Sequence, residues 1–198
     1  MPITAHMGGT RAILPSNAKQ RCPAKRFLWC NPTVTPPGYA LAQTQQGIAM
    51  KLAWILWLSH VLPQPAADSL CLSTTVYLEA RDQSLLGQEA VAEVALRRLN
   101  SGIWGKTLCS VVTAPKQFAP TLVSKNTKLN NSASWTKSID VALDSQRNWK
   151  LPVGERREIV PGASHFVARS VARPSWARGH RVAVIGDHTF YRVRNLSL

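Results

Sequence analysis

Acidic side chains are scarce in this 198-residue chain: ten Asp and Glu stand against 24 Lys and Arg, a formal charge of +14. The deficit is uneven. Residues 1–67 contain Arg11, Lys19, Arg21, Lys25, Arg26 and Lys51 and no acid at all, whereas residues 68–198 hold all ten acids and 18 bases. Such an excess favours a polyanionic partner, whether nucleic acid, an anionic membrane or an acidic wall polymer. Other absences narrow the choice. No nucleic-acid-binding motif is present, so no nucleic-acid partner is expected. The four cysteines include no Cys-x-x-Cys, and the histidines at 6, 60, 165, 180 and 188 include no His-x-x-x-His, so the usual zinc spacings are missing. The apolar run from Leu52 to Leu62 is shorter than the roughly 20 residues a conventional membrane-spanning helix needs. There is no internal repeat and no low-complexity tract. What is abundant is apolar side chain, 45% of the sequence, enough for one domain with a real core.

Residues 1–49 show no sustained periodicity and carry Pro2, Pro15, Pro23, Pro32, Pro36 and Pro37, so this extension is expected to be disordered. The next segment, MKLAWILWLSHVLPQPAADS from Met50 to Ser69, has a methionine, a lysine, an apolar run and small residues at Ala66 and Ala67. That is the layout of a secretory signal peptide ending after Ala67, although Pro65 departs from the small residue favoured three positions before a cleavage point. A buried or amphipathic helix joining the two parts is the competing reading. On the signal reading, residues 50–67 touch a membrane transiently, the product is exported to the periplasm or cell wall, and residues 1–49 lie upstream of a true start at Met50. A chain beginning there keeps only Cys71 and Cys109, and an even count in an exported domain favours a disulfide, worth about 3–4 kcal/mol in the chain-entropy picture.

Residues 68–198 read as one compact α+β domain, mainly helical, with short strands in its last third. CLSTTVYLEA, Cys71 to Ala80, forms a first helix with Leu72 and Val76 on one face. GQEAVAEVALRRLN, Gly87 to Asn100, places Val91, Val94, Ala95 and Arg98 on one side of a second. Leu108 to Thr113 is a short helix or a strand, and Ser132 to Trp149 is a third long helix with Ile139, Ala142 and Leu143 facing inward. HFVA, RVAVIG and HTFYRV predict small strands between turns.

One residue breaks this pattern. Glu79 follows Leu72 and Val76 at i+7 and i+3, so it points where leucine belongs. A carboxylate there must be paired, be protonated, or open into a cleft, because burial penalises its charged form. Pairing with Arg81, Arg97 or Arg98 is the structural alternative; a raised pKa would suit an acid that protonates a leaving group near neutral pH.

The strings CLSTTVYLEAR, GQEAVAEVALRRL, LCSVVTAPKQF, GASHFVA, PSWAR and IGDHTFYR, in this order and spacing over residues 71 to about 193, resemble the catalytic domain of the SleB-type cell wall hydrolases, a family of spore-cortex lytic enzymes and endolysin-like proteins of bacteria and phages. The resemblance implies a lysozyme-like fold, cleavage of the β-1,4 bond between N-acetylmuramic acid and N-acetylglucosamine in peptidoglycan glycan strands, and a catalytic acid at the glutamate of Glu-Ala-Arg, here Glu79. A lytic transglycosylase uses that one carboxyl first as acid and then as base; a muramidase more usually needs a second. Three stretches depart from the family pattern: Asp82 and Gln83 stand for Gly-Glu, Arg97 stands for a common asparagine, and QFAP, Gln117 to Pro120, stands for Gln-Phe-Ser-Trp.

Sugar sites present aromatic faces to the apolar side of the ring, and amides or imidazoles to its polar groups. Gln117, Phe118, His165, Phe166, Trp176, His188 and Tyr191 are therefore the candidate substrate-binding residues, each with an ordinary core role as its alternative. Arg169, Arg173, Arg178 and Arg181 read as a solvated basic surface. Nothing in the chain calls for a cofactor or metal, and a monomer is expected. Two rival functions remain: a basic module that grips wall polymer without cutting it, and a zinc amidase using His165, His180 or His188.

Overall fold

The computed structural model describes residues 50–171, 174–178 and 180–193. The extension expected to be disordered, with Cys22 and Cys30, lies outside the described residues, as does Arg173. Two residues of strand, β1 (Met50–Lys51), lead into α1 (Leu52–Val61) and α2 (Gln64–Ala80). Pro63 and Pro65 stand at the start of α2, where the first N–H groups have no helical partner to lose. The helix thus begins seven residues before the expected start at Cys71, and the boundary expected after Ala67 falls inside it.

A short connection separates α2 from α3 (Leu85–Ser101). Ser84 caps α3 by accepting from Gly87 N, and Gly102 ends it in the left-handed region at φ 68°. Next, α4 (Leu108–Val112) opens with a capping box between Thr107 and Ser110. The two-residue β2 (Lys128–Leu129) pairs antiparallel with β1. Asn131 caps α5 (Ser132–Trp149), whose bounds match the sequence expectation. Its buried face is Ser138, Val141, Ala142 and Trp149; Leu143, expected inside, is 38% exposed, because the packed stripe runs one position earlier.

The main core gathers Leu72 and Val76 from α2, Val91, Val94 and Ala95 from α3, Leu108 and Val111 from α4, and Val141 and Ala142 from α5. A disulfide between Cys71 and Cys109 joins α2 to α4, with Cα atoms 5.2 Å apart. A smaller cluster of Leu52, Ile55, Tyr77 and Leu129 seats α1. Its first two amides donate to Thr127 and Lys125 carbonyls, while Trp54 and Trp57 stay exposed at 62% and 55%. Residues 50–67 therefore touch the domain through one face of α1 and through the first turn of α2, where Ala67 is buried, and leave the Trp54–Trp57 face of α1 bare. No helix among the described residues is long and apolar enough to cross a membrane.

Three antiparallel strands complete the domain in the order β3 (His165–Ala168), β5 (His188–Arg192), β4 (His180–Ile185). The β4–β5 turn is Gly186–Asp187, with Gly186 at φ 55°. A Cβ on Gly186 would collide with Gln83 Oε1, which accepts from Asp187 N at 3.0 Å. Gln83 thus fastens the hairpin tip to the α2–α3 connection.

Candidate active site

Glu79 sits one residue from the end of α2, on the face defined by Leu72 and Val76. Those two are sealed, whereas Glu79 is half-buried and still reaches solvent. Its Oε1 accepts from Ala119 N at 2.6 Å. That amide belongs to a 3-10 turn, Ala119–Thr121, entered from the extended residue Phe118. Burial pushes the Glu79 pKa above the ordinary carboxylate value; the Ala119 N–H and the charge of Arg98 pull the other way without cancelling it.

Arg98 comes from the apolar face of α3 and is 3% exposed. Its Nε donates to Ser164 O at 2.7 Å and its Nη1 to Gln117 Oε1 at 3.1 Å. The guanidinium lies over the rings of Trp104 and Phe118, 5.0 and 4.7 Å from their centroids. Burial lowers its pKa to about 10, with Glu79 acting to raise it, so Arg98 remains a cation at neutral pH. It acts on Glu79 at a distance, since Glu79 makes no ion pair among the described residues. Arg97 is engaged with Glu93 and Glu158, and Arg81 lies over the Tyr77 ring. The pairing alternative for Glu79 is therefore not realised with any of the three arginines.

Aromatic residues extend the cluster. His165 lies between Trp104 and Trp176, with ring centroids 5.9 and 4.9 Å away, and Trp176 meets Tyr191 edge-on at 5.9 Å. Phe166 touches Phe118, His188 and Phe190 at 6.0, 5.2 and 5.8 Å. Strand alternation separates these two groups: His165 pairs with Tyr191 across the β3–β5 ladder and Phe166 with Phe190, so the pairs point to opposite faces. The candidates expected from sequence do not all line one surface.

Gln117, Phe166 and Trp176 keep partial exposure and can meet a ligand. Phe118 cannot in this arrangement: it is 0% exposed, a floor beneath Arg98 rather than a sugar platform, because the loop turns its ring into the main core. His165, His188 and Tyr191 are also buried, at 6%, 5% and 3%. Nδ1 of His165 shares a hydrogen bond with Ser164 Oγ at 2.9 Å, and burial, with the nearby Arg98 charge, lowers its pKa to about 4. Burial also lowers that of His188, against opposing pulls from Asp187 and Asp82. Both imidazoles are neutral at pH 7. Arg169 and Arg181 are exposed, in keeping with a basic surface. No three His, Cys, Asp or Glu side chains gather as a metal-holding group among the described residues.

Sequence reasoning did not assign three participants. Arg98 had left a signal, an arginine on an apolar stripe. Trp104 lies in a loop without periodicity, and the Ala119 contribution is a main-chain N–H that no side-chain pattern reveals.

A family described as Cell Wall Hydrolase matches residues 82–191, beginning just beyond Glu79. Among solved structures, the catalytic domain of the germination-specific lytic transglycosylase SleB from Bacillus anthracis is 23% identical, with a TM-score of 0.50 over 63% of this chain and 93% of that one. The catalytic domain of the Bacillus cereus SleB protein is 26% identical, with a TM-score of 0.49 over 63% and 88%. No curated protein matches. The first likeness shows the fold, the mainly helical, lysozyme-like architecture of a SleB catalytic domain.

Proposed function

The chain belongs to the cell wall hydrolase family, and from that premise we propose that it cleaves peptidoglycan glycan strands between N-acetylmuramic acid and N-acetylglucosamine as a lytic transglycosylase, with Glu79 as its one acid and base. The observation that carries this is the setting of Glu79: a half-buried carboxyl, raised in pKa, open on one side and held by a single backbone N–H. Burial favours the protonated form of Glu79, the form that can give its proton to a glycosidic oxygen. As the C1–O bond breaks and the proton moves to the leaving sugar, the carboxylate that forms is stabilised by the Ala119 N–H and by the fixed charge of Arg98. That carboxylate then takes the proton of the muramic C6 hydroxyl as its oxygen bonds to C1. The 1,6-anhydro ring closes, no water is consumed, and Glu79 ends protonated as it began.

Gln117, held by Arg98, and the partly exposed Trp176 and Phe166 are the groups placed to meet the sugar. The substrate puts the enzyme's place of action in the cell wall, which the basic surface also favours. Mass spectrometry of digested sacculi tests the reading. Anhydro-muropeptides from the native chain, and none from Glu79→Gln, are expected. Reducing muropeptides would make it a muramidase, and released stem peptides would replace it with an amidase. Binding without any cleavage would leave only the wall-gripping module.

A further inference from the structure

The loop that gives Ala119 N–H to Glu79 has a second use. One residue on, Pro120 becomes part of the wall of a groove of about 830 Å³ that runs between this loop, α4 and the end of α1. Its size falls in the range of ligand sites, roughly 300–1,000 Å³. Leu56 of α1, Leu62 just past its end, Pro120 and Val123 line it, as do Lys116 and Lys125. Neither lysine makes an ion pair among the described residues, and no acid lines the groove. The acid behind it, Asp68, is already engaged by Gln64 Nε2 and Cys109 N. Lys116 also holds a backbone φ of 60°, uncommon for a side chain with a Cβ, immediately before Gln117 and Phe118. The groove is thus cationic, half apolar, and continuous in chain with the amide that holds the catalytic carboxyl.

We propose that this groove binds the carboxylate-bearing stem peptide of the muramic acid whose bond is cut. The proposal rests on the glycan-cleaving function above and deepens it, and it takes α1 as a retained wall of the domain, seated through Leu52 and Ile55, rather than as a signal removed after Ala67. The stem hangs from C3 of the same sugar that offers its C1 to Glu79, so it must leave the catalytic centre along a nearby surface. Its free carboxylates complement two unpaired lysines, and its alanine methyls complement the leucine and proline walls. A glycan strand stripped of its peptide keeps only the lactyl carboxylate close to the sugar ring and loses the carboxylates that the stem carries outward to Lys116 and Lys125.

Titration of a free stem peptide into the full chain carrying Glu79→Gln tests the assignment apart from any cleavage. Saturable binding is expected, weakened about tenfold by Lys116→Gln with Lys125→Gln, weakened likewise when the peptide carboxylates are amidated, and restored by Lys116→Arg with Lys125→Arg. No saturable binding, or equal affinity for the acid and amide peptides, overturns it. Binding of a polyol-phosphate wall polymer with no response to the peptide also overturns it and reassigns the groove to phosphate. With the native chain, the rate on stem-bearing strands relative to strands stripped of peptide should fall about tenfold in the double Gln variant. An unchanged ratio counts against the groove, whereas failure to cut either strand counts against the glycan-cleaving function and leaves the peptide titration to decide.

Discussion

Glu79 and Glu93 project from neighbouring helices into settings that differ in almost every respect. Glu93 is 5% exposed and held by three donors: its Oε1 accepts from Arg97 Nη2 at 2.7 Å and from Val160 N at 3.1 Å, and its Oε2 from Ile159 N at 2.6 Å. Arg97 in turn donates to the Val160 and Ala163 carbonyls, so the pair pins the approach to β3 onto α3. Glu79 has one backbone donor, no ion pair among the described residues, and an open side. A buried carboxylate held by three donors can do little but hold structure; one left short of partners beside solvent can exchange a proton. The difference teaches which of two glutamates on adjoining helices to mutate for chemistry and which for stability.

The sharpest way to break that comparison is Glu79→Gln. The amide oxygen can still accept from Ala119 N, so the fold survives, but no proton can be given. Activity on purified peptidoglycan should fall by about 10²–10⁴-fold, with melting temperature unchanged or raised. Glu93→Ala should do the reverse. It removes one of the two carboxylates that hold Arg97, leaving Glu158, and orphans the Ile159 and Val160 amides, costing about 3–5 kcal/mol in denaturant unfolding, while the rate per folded molecule stays near native. A variant that lost catalysis with its stability intact at position 93 would erase the distinction. Replacing Cys71 and Cys109 by serine should cost about 3–4 kcal/mol. The bond anchors α2 eight residues before Glu79, so the pH dependence of the rate should keep its shape.

Arg98 sharpens the comparison from the other side, because it tunes Glu79 without pairing to it. Arg98→Met removes a charge that lowers the Glu79 pKa. The alkaline limb of the pH–rate profile, where the acid loses its proton, should move to higher pH, and Arg98→Lys should move it less. A limb that stays in place in the Met variant would show that Arg98 only packs.

Much of this was legible in the sequence, and the exceptions have physical causes. The bounds of α5 are marked by Asn131 at its cap and Pro152 beyond its end, and β3 and β5 by β-branched and aromatic residues between turns. Glu79 announced itself as a charge at a leucine position. The helix α2 starts earlier than its sequence suggests because Pro63 and Pro65 look like breakers yet suit a first turn. Phe118 reads from sequence as a sugar platform, but burial of a loop aromatic depends on which way the loop turns, which is set by distant contacts with Arg98 and Phe166. The groove along α1 needs three separated segments to meet, and no local pattern encodes that.

The smallest effect concerns His165, whose pKa is held at about 4 in the fold against an ordinary 6.5. Below pH 6.5 the unfolded chain binds a proton at this residue while the folded chain does not, so stability falls as pH drops through 6.5 and levels off only beneath about 4. Between pH 7 and 5.5 the loss from this residue should be about 1 kcal/mol. His188, also lowered by burial, adds to the same decline. Glu79 works with the opposite sign: its raised pKa contributes stability below the ordinary carboxylate value of 4.5 that is lost as pH rises through the folded value. Urea unfolding at a series of pH values should therefore give a shallower acid decline in His165→Asn than in the native chain, and in Glu79→Gln a relative gain that grows toward neutral pH. Equal acid slopes in the native chain and His165→Asn would mean that His165 charges in the fold as readily as in the unfolded chain, and the dry, cationic wall between Arg98 and Trp176 would have to be wetter than its packing shows.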